Sequence, residues 1–64
     1  MSIGDLVKYT GPEFNGLDDQ SIGVILAKSY PDASWDHPLQ SLQIYWSSTS
    51  QVRWQGPKTL KRPI

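Results

Sequence analysis

Cysteine is absent from this 64-residue chain, so neither a disulfide framework nor a thiolate zinc site can hold it together. A domain of this length buries only about 60% of the surface that its unfolded form exposes, so large side chains must supply the core. The three Trp, three Tyr and one Phe are the obvious material, since each can bury roughly 150 to 250 Å². We therefore predict a single small domain over residues 1–64 whose aromatic side chains are mostly structural.

Net charge is also missing, because six Lys and Arg balance six Asp and Glu. This balance argues against a surface built wholly for nucleic acid or for an anionic membrane. The charges are nevertheless segregated: every acid lies at or before Asp36, and four of the six cations lie at or after Arg53. No apolar run approaches the roughly 20 residues of a membrane span, so we expect no membrane partner. The lack of cysteine fits an intracellular or a virion setting.

Groups suited to catalysis are scarce, since the chain has one histidine, His37, and no thiol. Asp32, Asp36 and His37 are possible ligands for a divalent cation, but loop sites usually supply more oxygens at a fixed spacing with a glycine at the bend. No glycine-rich loop leads into a helix to cradle a phosphate. We predict a protein that is not an enzyme and that holds neither a cofactor nor a metal.

Gly and Pro interrupt the chain too often for a long amphipathic helix, and short runs rich in β-branched and aromatic residues remain. The first two predicted strands are residues 5–10, "DLVKYT", and 21–28, "SIGVILAK". The second has apolar side chains on both faces, which indicates a strand that is covered on both sides or strongly curved, and Gly23 permits the bend. Few strands with a small core favour a bent barrel over a flat sheet.

The third and fourth predicted strands form a hairpin around "SSTS", residues 47–50. Alternation puts Ile44 and Trp46 on one face of the first arm, and Val52 and Trp54 on one face of the second. We expect both tryptophans on the apolar face, bracing one core. The turn lacks an Asn-Gly pair, so we expect a connection of four or more residues. The sequence leaves open two strand registers that differ by one residue. Pro57 to Thr59 then predicts one helical turn that returns Leu60 to the core.

The order of these elements resembles a small Src-homology-3-like barrel. The resemblance is carried by "IGDLVKY", "IGVILA", the hairpin "QIYW…VRW" and the closing "GPKTL", and it covers nearly the whole chain. It implies an all-β fold of about five short strands with a one-turn helix before the last strand. Within this class, "GDLV", "YW" and a Trp followed by Pro and Leu are similar to short proteins of tailed bacteriophages, including cyanophages. That similarity implies a structural or adaptor protein, such as a virion component, located in the virion or the host cytoplasm.

Two long loops separate the strands, and loops of this length in a small domain are usually functional or compactly packed. Trp35 lies in the second loop, residues 29–41, away from any alternating pattern, and Trp is enriched at interaction hot spots. We expect Tyr30, Trp35 and His37 to form a protein-contacting patch, with Phe14 and Leu17 of the first loop, residues 11–20, beside it. In the alternative, Trp35 folds back to cap the barrel.

A nucleic-acid-binding barrel is the second functional class that the sequence leaves open. Aromatic side chains stack bases and cations meet phosphates, and the C-terminal part of the chain contains both. The residues concerned are Tyr45, Arg53, Lys58, Lys61 and Arg62. Protein contacts or self-assembly remain the leading expectation because the net charge is zero.

Overall fold

Five antiparallel strands form a single sheet in the computed structural model, which describes residues 1–63. The strands are β1 (Leu6–Tyr9), β2 (Ile22–Lys28), β3 (Leu42–Trp46), β4 (Gln51–Gln55) and β5 (Leu60–Lys61), and a 3₁₀ turn (Pro57–Thr59) precedes β5. Their order in the sheet is β4-β3-β2-β1-β5. The predicted all-β fold of about five short strands, with a one-turn helix before the last, is confirmed. Ile64, the end of the predicted domain and tail, lies outside the described residues.

The sheet is curled into a half-barrel, and the irregularity that bends it lies in β2. The pairing of β2 with β3 shifts register between Ile25 and Ala27, so that Leu26 has no partner on β3. Such a bulge bends its strand and increases the local twist. Gly23, earlier in β2, packs closely against the side chains of Ile44 and Trp46. A Cβ atom added at Gly23 would lie only 2.8 Å from the Trp46 ring and would also collide with Ile44, so no larger residue fits there. This curled sheet is compatible with a Src-homology-3-like barrel.

The concave side of the sheet holds the core. Its buried members are Val7, Tyr9, Leu17, Ile25, Leu42, Ile44, Trp46 and Leu60. Tyr9 and Trp46 meet edge to face, with ring centroids 6.1 Å apart at 87°, an arrangement that aromatic pairs prefer. Polar ends are satisfied as well: the Tyr9 hydroxyl donates to the Pro12 carbonyl at 2.8 Å, and Trp46 Nε1 donates to Gln55.

The two tryptophans of the hairpin do not share a face, so the expectation that both brace the core is wrong for Trp54. Trp46 is fully buried, whereas Trp54 is 54% exposed. The four-residue connection 47–50 pairs Trp46 with Gln51, and residues that pair directly point to the same side. Gln51, Arg53 and Gln55 therefore face inward. Val52 and Trp54 face outward, so the apolar side chains of β4 contribute nothing to the core cluster.

Candidate functional site

The convex side of the sheet carries a row of apolar side chains that crosses four strands. The cross-strand pairs Leu6 with Val24, Val24 with Tyr45, and Tyr45 with Val52 place these four residues side by side. Trp54 lies diagonally next to Tyr45 on the same side, since it pairs with Gln43. We call these residues, together with Ile22, the outer face. Leu6, Tyr45, Val52 and Trp54 are exposed, and Ile22 and Val24 are half-buried.

A shallow groove of about 200 Å³ runs along the outer face. It is lined by Leu6, Ile22, Gly23, Val24, Tyr45 and Ser47. The apolar character of most of these residues makes the groove suited to an apolar group, which gains free energy by leaving water.

Charge on the sheet has one sign. Every charged residue in the strands is a cation (Lys8, Lys28, Arg53 and Lys61), and all six acids lie outside them. Lys8 pairs directly with Lys61 on one neighbouring strand and with the groove residue Ile22 on the other, so both lysines lie on the same side of the sheet as the groove. Like charges directly opposite one another are destabilising, and an anionic partner would relieve that repulsion.

The predicted patch of Tyr30, Trp35 and His37 lies within one folded-back loop. Trp35 is half-buried and packs against the core, as the capping alternative expects. Tyr30 and His37 are exposed, and the ring nitrogen Nδ1 of His37 accepts a hydrogen bond from the Leu39 amide at 3.1 Å. In this loop, therefore, Tyr30 and His37 are exposed, whereas Trp35 between them packs against the core.

Gln40 holds this loop in place, and sequence patterns did not reveal it. Its side chain is 2% exposed. The carbonyl oxygen Oε1 accepts from the Tyr30 amide at 2.8 Å and from the Ser29 hydroxyl at 3.2 Å. The amide nitrogen Nε2 donates to the carbonyls of Tyr30 at 2.8 Å and Ser34 at 3.2 Å. One buried side chain thus gives the Tyr30 amide its acceptor and adds a second donor to the carbonyls of Tyr30 and Ser34, which also accept from the Ala33 and His37 amides.

The first loop contains a tight two-residue turn at Asn15-Gly16. Phe14 and Leu17 exchange backbone hydrogen bonds of 3.0 and 2.9 Å, and both central residues have positive φ, 49° and 86°. Asn-Gly between two apolar residues is the strongest short-range signal for such a turn, so the sequence did contain this information. Leu17 is 1% exposed and belongs to the core, which corrects its expected place in a surface patch.

Phe14 lies against β4. The Arg53 guanidinium is 5.1 Å from the centroid of its ring, a cation–π geometry. The Asn15 amide, oriented with its oxygen toward Arg53, accepts from both terminal nitrogens at 3.0 and 3.2 Å. Phe14 nevertheless remains 54% exposed.

The five residues expected to contact nucleic acid are divided between two sides of the sheet. Tyr45 is on the outer face, whereas Arg53 pairs with Ile44 and points to the concave side. Lys61 borders the outer face, Lys58 is exposed in the 3₁₀ turn, and Arg62 lines a wide depression beside Met1 and Leu6. Tyr45 and Arg53 therefore do not form one surface.

Within residues 1–63, no three His, Asp or Glu side chains group closely enough to hold a metal ion. The same part of the chain contains no helix that is long and apolar enough to cross a membrane. Comparison with known proteins gives no matching family model, no matching curated protein and no matching solved structure.

Proposed function

We propose that this chain is a non-enzymatic structural or adaptor protein that acts through protein–protein contacts made by its outer face. The observation that carries the proposal is the exposed apolar row from Leu6 to Val52 with Trp54 beside it. Contiguous exposed apolar side chains on a small protein typically mark an interaction surface. Tyr and Trp are also the residues most enriched where truncation weakens a protein contact.

The position of these side chains on the sheet strengthens the proposal. They project from strands whose concave side is packed, so their directions are fixed before a partner arrives and little entropy is lost on binding. As the setting we propose a tailed-phage virion and a Src-homology-3-like barrel, on the resemblance of "GDLV", "YW" and the closing "GPKTL". Phe14, Tyr30, Trp35 and His37 would then act at most as accessory contacts.

Single-stranded nucleic acid is a second candidate, favoured by two exposed aromatic side chains and a pair of lysines on the same side of the sheet. Tyr45 and Trp54 would stack bases, and Lys8 and Lys61 would meet phosphates. We rank this candidate lower because four of the six residues of the outer face are aliphatic. The two lysines on this side of the sheet provide little positive charge for a phosphate backbone.

Trp54→Ser tests the outer face, with Leu39→Ser as the matched control because Leu39 is exposed in the second loop. We expect light scattering to show self-association of the wild-type chain that weakens by about 30-fold or more in Trp54→Ser, a typical hot-spot loss. Leu39→Ser should associate like the wild type. Equal association by both variants would remove the outer face from the contact.

A labelled single-stranded oligonucleotide separates the two candidates by fluorescence anisotropy. We expect no binding that depends on Trp54. Binding that is lost in Trp54→Ser and falls steeply between about 50 and 200 mM salt would select the nucleic-acid candidate instead.

A further inference from the structure

The outer face is suited to a binding partner that is both apolar and negatively charged. Its groove is lined almost wholly by apolar groups, and the directly paired Lys8 and Lys61 lie on the same side of the sheet, with Lys8 opposite the groove residue Ile22. The strands themselves supply no carboxylate to separate these two ammonium groups. A partner that inserts a ring and places carboxylates beside the lysines would satisfy both features.

This chain presents such a group on another part of its surface. Residues 13–19, which we call the acidic turn, carry Phe14 together with three exposed carboxylates, those of Glu13, Asp18 and Asp19. The Asn15-Gly16 turn and the reciprocal backbone hydrogen bonds of Phe14 and Leu17 hold the acidic turn in one shape. A preorganised turn loses less entropy on docking than a flexible loop does.

The sizes agree as well. A cavity of about 150 Å³ lined by apolar side chains accepts benzene, and the groove measures about 200 Å³. The exposed part of the Phe14 ring is therefore small enough to enter. The second loop is a poorer occupant, since the tryptophan between its two acids, Trp35, packs against its own core.

Resting on the proposed function, we infer that the outer face of one copy of this chain binds the acidic turn of a second copy. Phe14 of the second copy enters the groove, and its carboxylates lie beside Lys8 and Lys61 of the first. The two surfaces are different, so the contact is head-to-tail and is repeated by each added copy. Such contacts generate rings when the rotation closes and open filaments when it does not.

Lys61→Glu tests the charge contact, because it moves fold stability and association in opposite directions. The change places an acid opposite Lys8, so the melting temperature should stay the same or rise. Association should weaken by at least about tenfold, since the introduced acid repels the acidic turn. Lys58→Glu is the matched control, with the same change in net charge on an exposed lysine of the 3₁₀ turn. Equal weakening by both variants, measured by sedimentation at one salt concentration, would overturn the inference.

Mixing two complementary variants tests the head-to-tail geometry. Phe14→Ala removes the inserted ring and keeps the outer face, whereas Leu6→Glu blocks the face and keeps the acidic turn. Each variant alone should be a folded monomer, and the mixture should form a 1:1 heterodimer that grows no further. Asp19→Lys replaces Phe14→Ala if circular dichroism shows that the latter is unfolded.

Three results would overturn the inference, and one of them also removes the proposed function. A wild-type chain that stays monomeric at about millimolar concentration, where even weak specific contacts are populated, contradicts the self-contact. Association that survives in folded Phe14→Ala but is lost in Leu6→Glu shows a functional face with a different occupant. Association that survives unchanged in Leu6→Glu contradicts the outer face itself, and with it the proposed function.

Discussion

Trp46→Ala is expected to unfold the domain, whereas Trp54→Ala should leave it folded. Trp46 is fully buried, meets Tyr9 edge to face and donates its indole N–H to Gln55. Replacing a buried tryptophan by alanine typically costs about 3 to 5 kcal/mol. A domain of this length has a total stability of about 3 to 10 kcal/mol, so this single loss consumes much or all of it.

Urea denaturation followed by circular dichroism measures the difference between the two variants. Trp54 is 54% exposed and outside the core cluster, so Trp54→Ala should change the free energy of unfolding by less than about 1 kcal/mol, as surface substitutions usually do. Similar destabilisation by the two variants would contradict the strand register that places Trp46 and Trp54 on opposite sides of the sheet.

Gln40→Leu is expected to produce the second largest loss, about 2 kcal/mol, although leucine is apolar and similar in size. The substitution removes the acceptor of the Tyr30 amide, whereas the carbonyls of Tyr30 and Ser34 keep the backbone amides that also donate to them. A buried group left unpaired costs about 1 to 3 kcal/mol, and water entering the opened loop offsets part of that cost.

Thermal melting and amide hydrogen exchange together measure this effect. The melting temperature should fall by about 4 to 8 °C for each kcal/mol lost in a domain of this size. Exchange should accelerate first in the second loop, residues 29–41. Gln20→Leu is the matched control because Gln20 is exposed and its side chain lies outside this network. A Gln40→Leu variant as stable as this control would show that the second loop is held by other contacts.

The strands were predictable because each carries a local pattern. Val7 and Tyr9 share the buried face of β1 with Lys8 between them, and Pro57 begins the 3₁₀ turn that returns Leu60 to the core. The curl was predictable in part, because apolar residues on both faces of β2 and the presence of Gly23 indicated curvature. The bulge at Leu26 was not, since it depends on pairing with β3.

The orientation of β4 could not be derived from its own sequence. Val52 and Trp54 alternate with polar residues whichever side faces inward, and the number of residues in the connection decides between the two. Four residues place Gln51 opposite Trp46 and turn the apolar side outward. For that reason the outer face was missed, although every residue in it was visible in the sequence.

Candidate loop residues were harder to place than strand residues. Trp35 and Leu17 read as surface anchors because no periodic pattern includes them, yet the first is half-buried and the second is in the core. A buried polar residue such as Gln40 has no periodic signature, because its role depends on backbone groups ten residues away in the chain.

A dilution series followed by two-dimensional ¹H–¹⁵N NMR tests the central claim most directly. Raising the concentration should shift the amide signals of the outer face, with the largest changes at Leu6, Tyr45 and Trp54. Signals of the second loop around Trp35 should stay in place. Shifts confined to that loop, with an unchanged outer face, would contradict the account and return the contact to the loop.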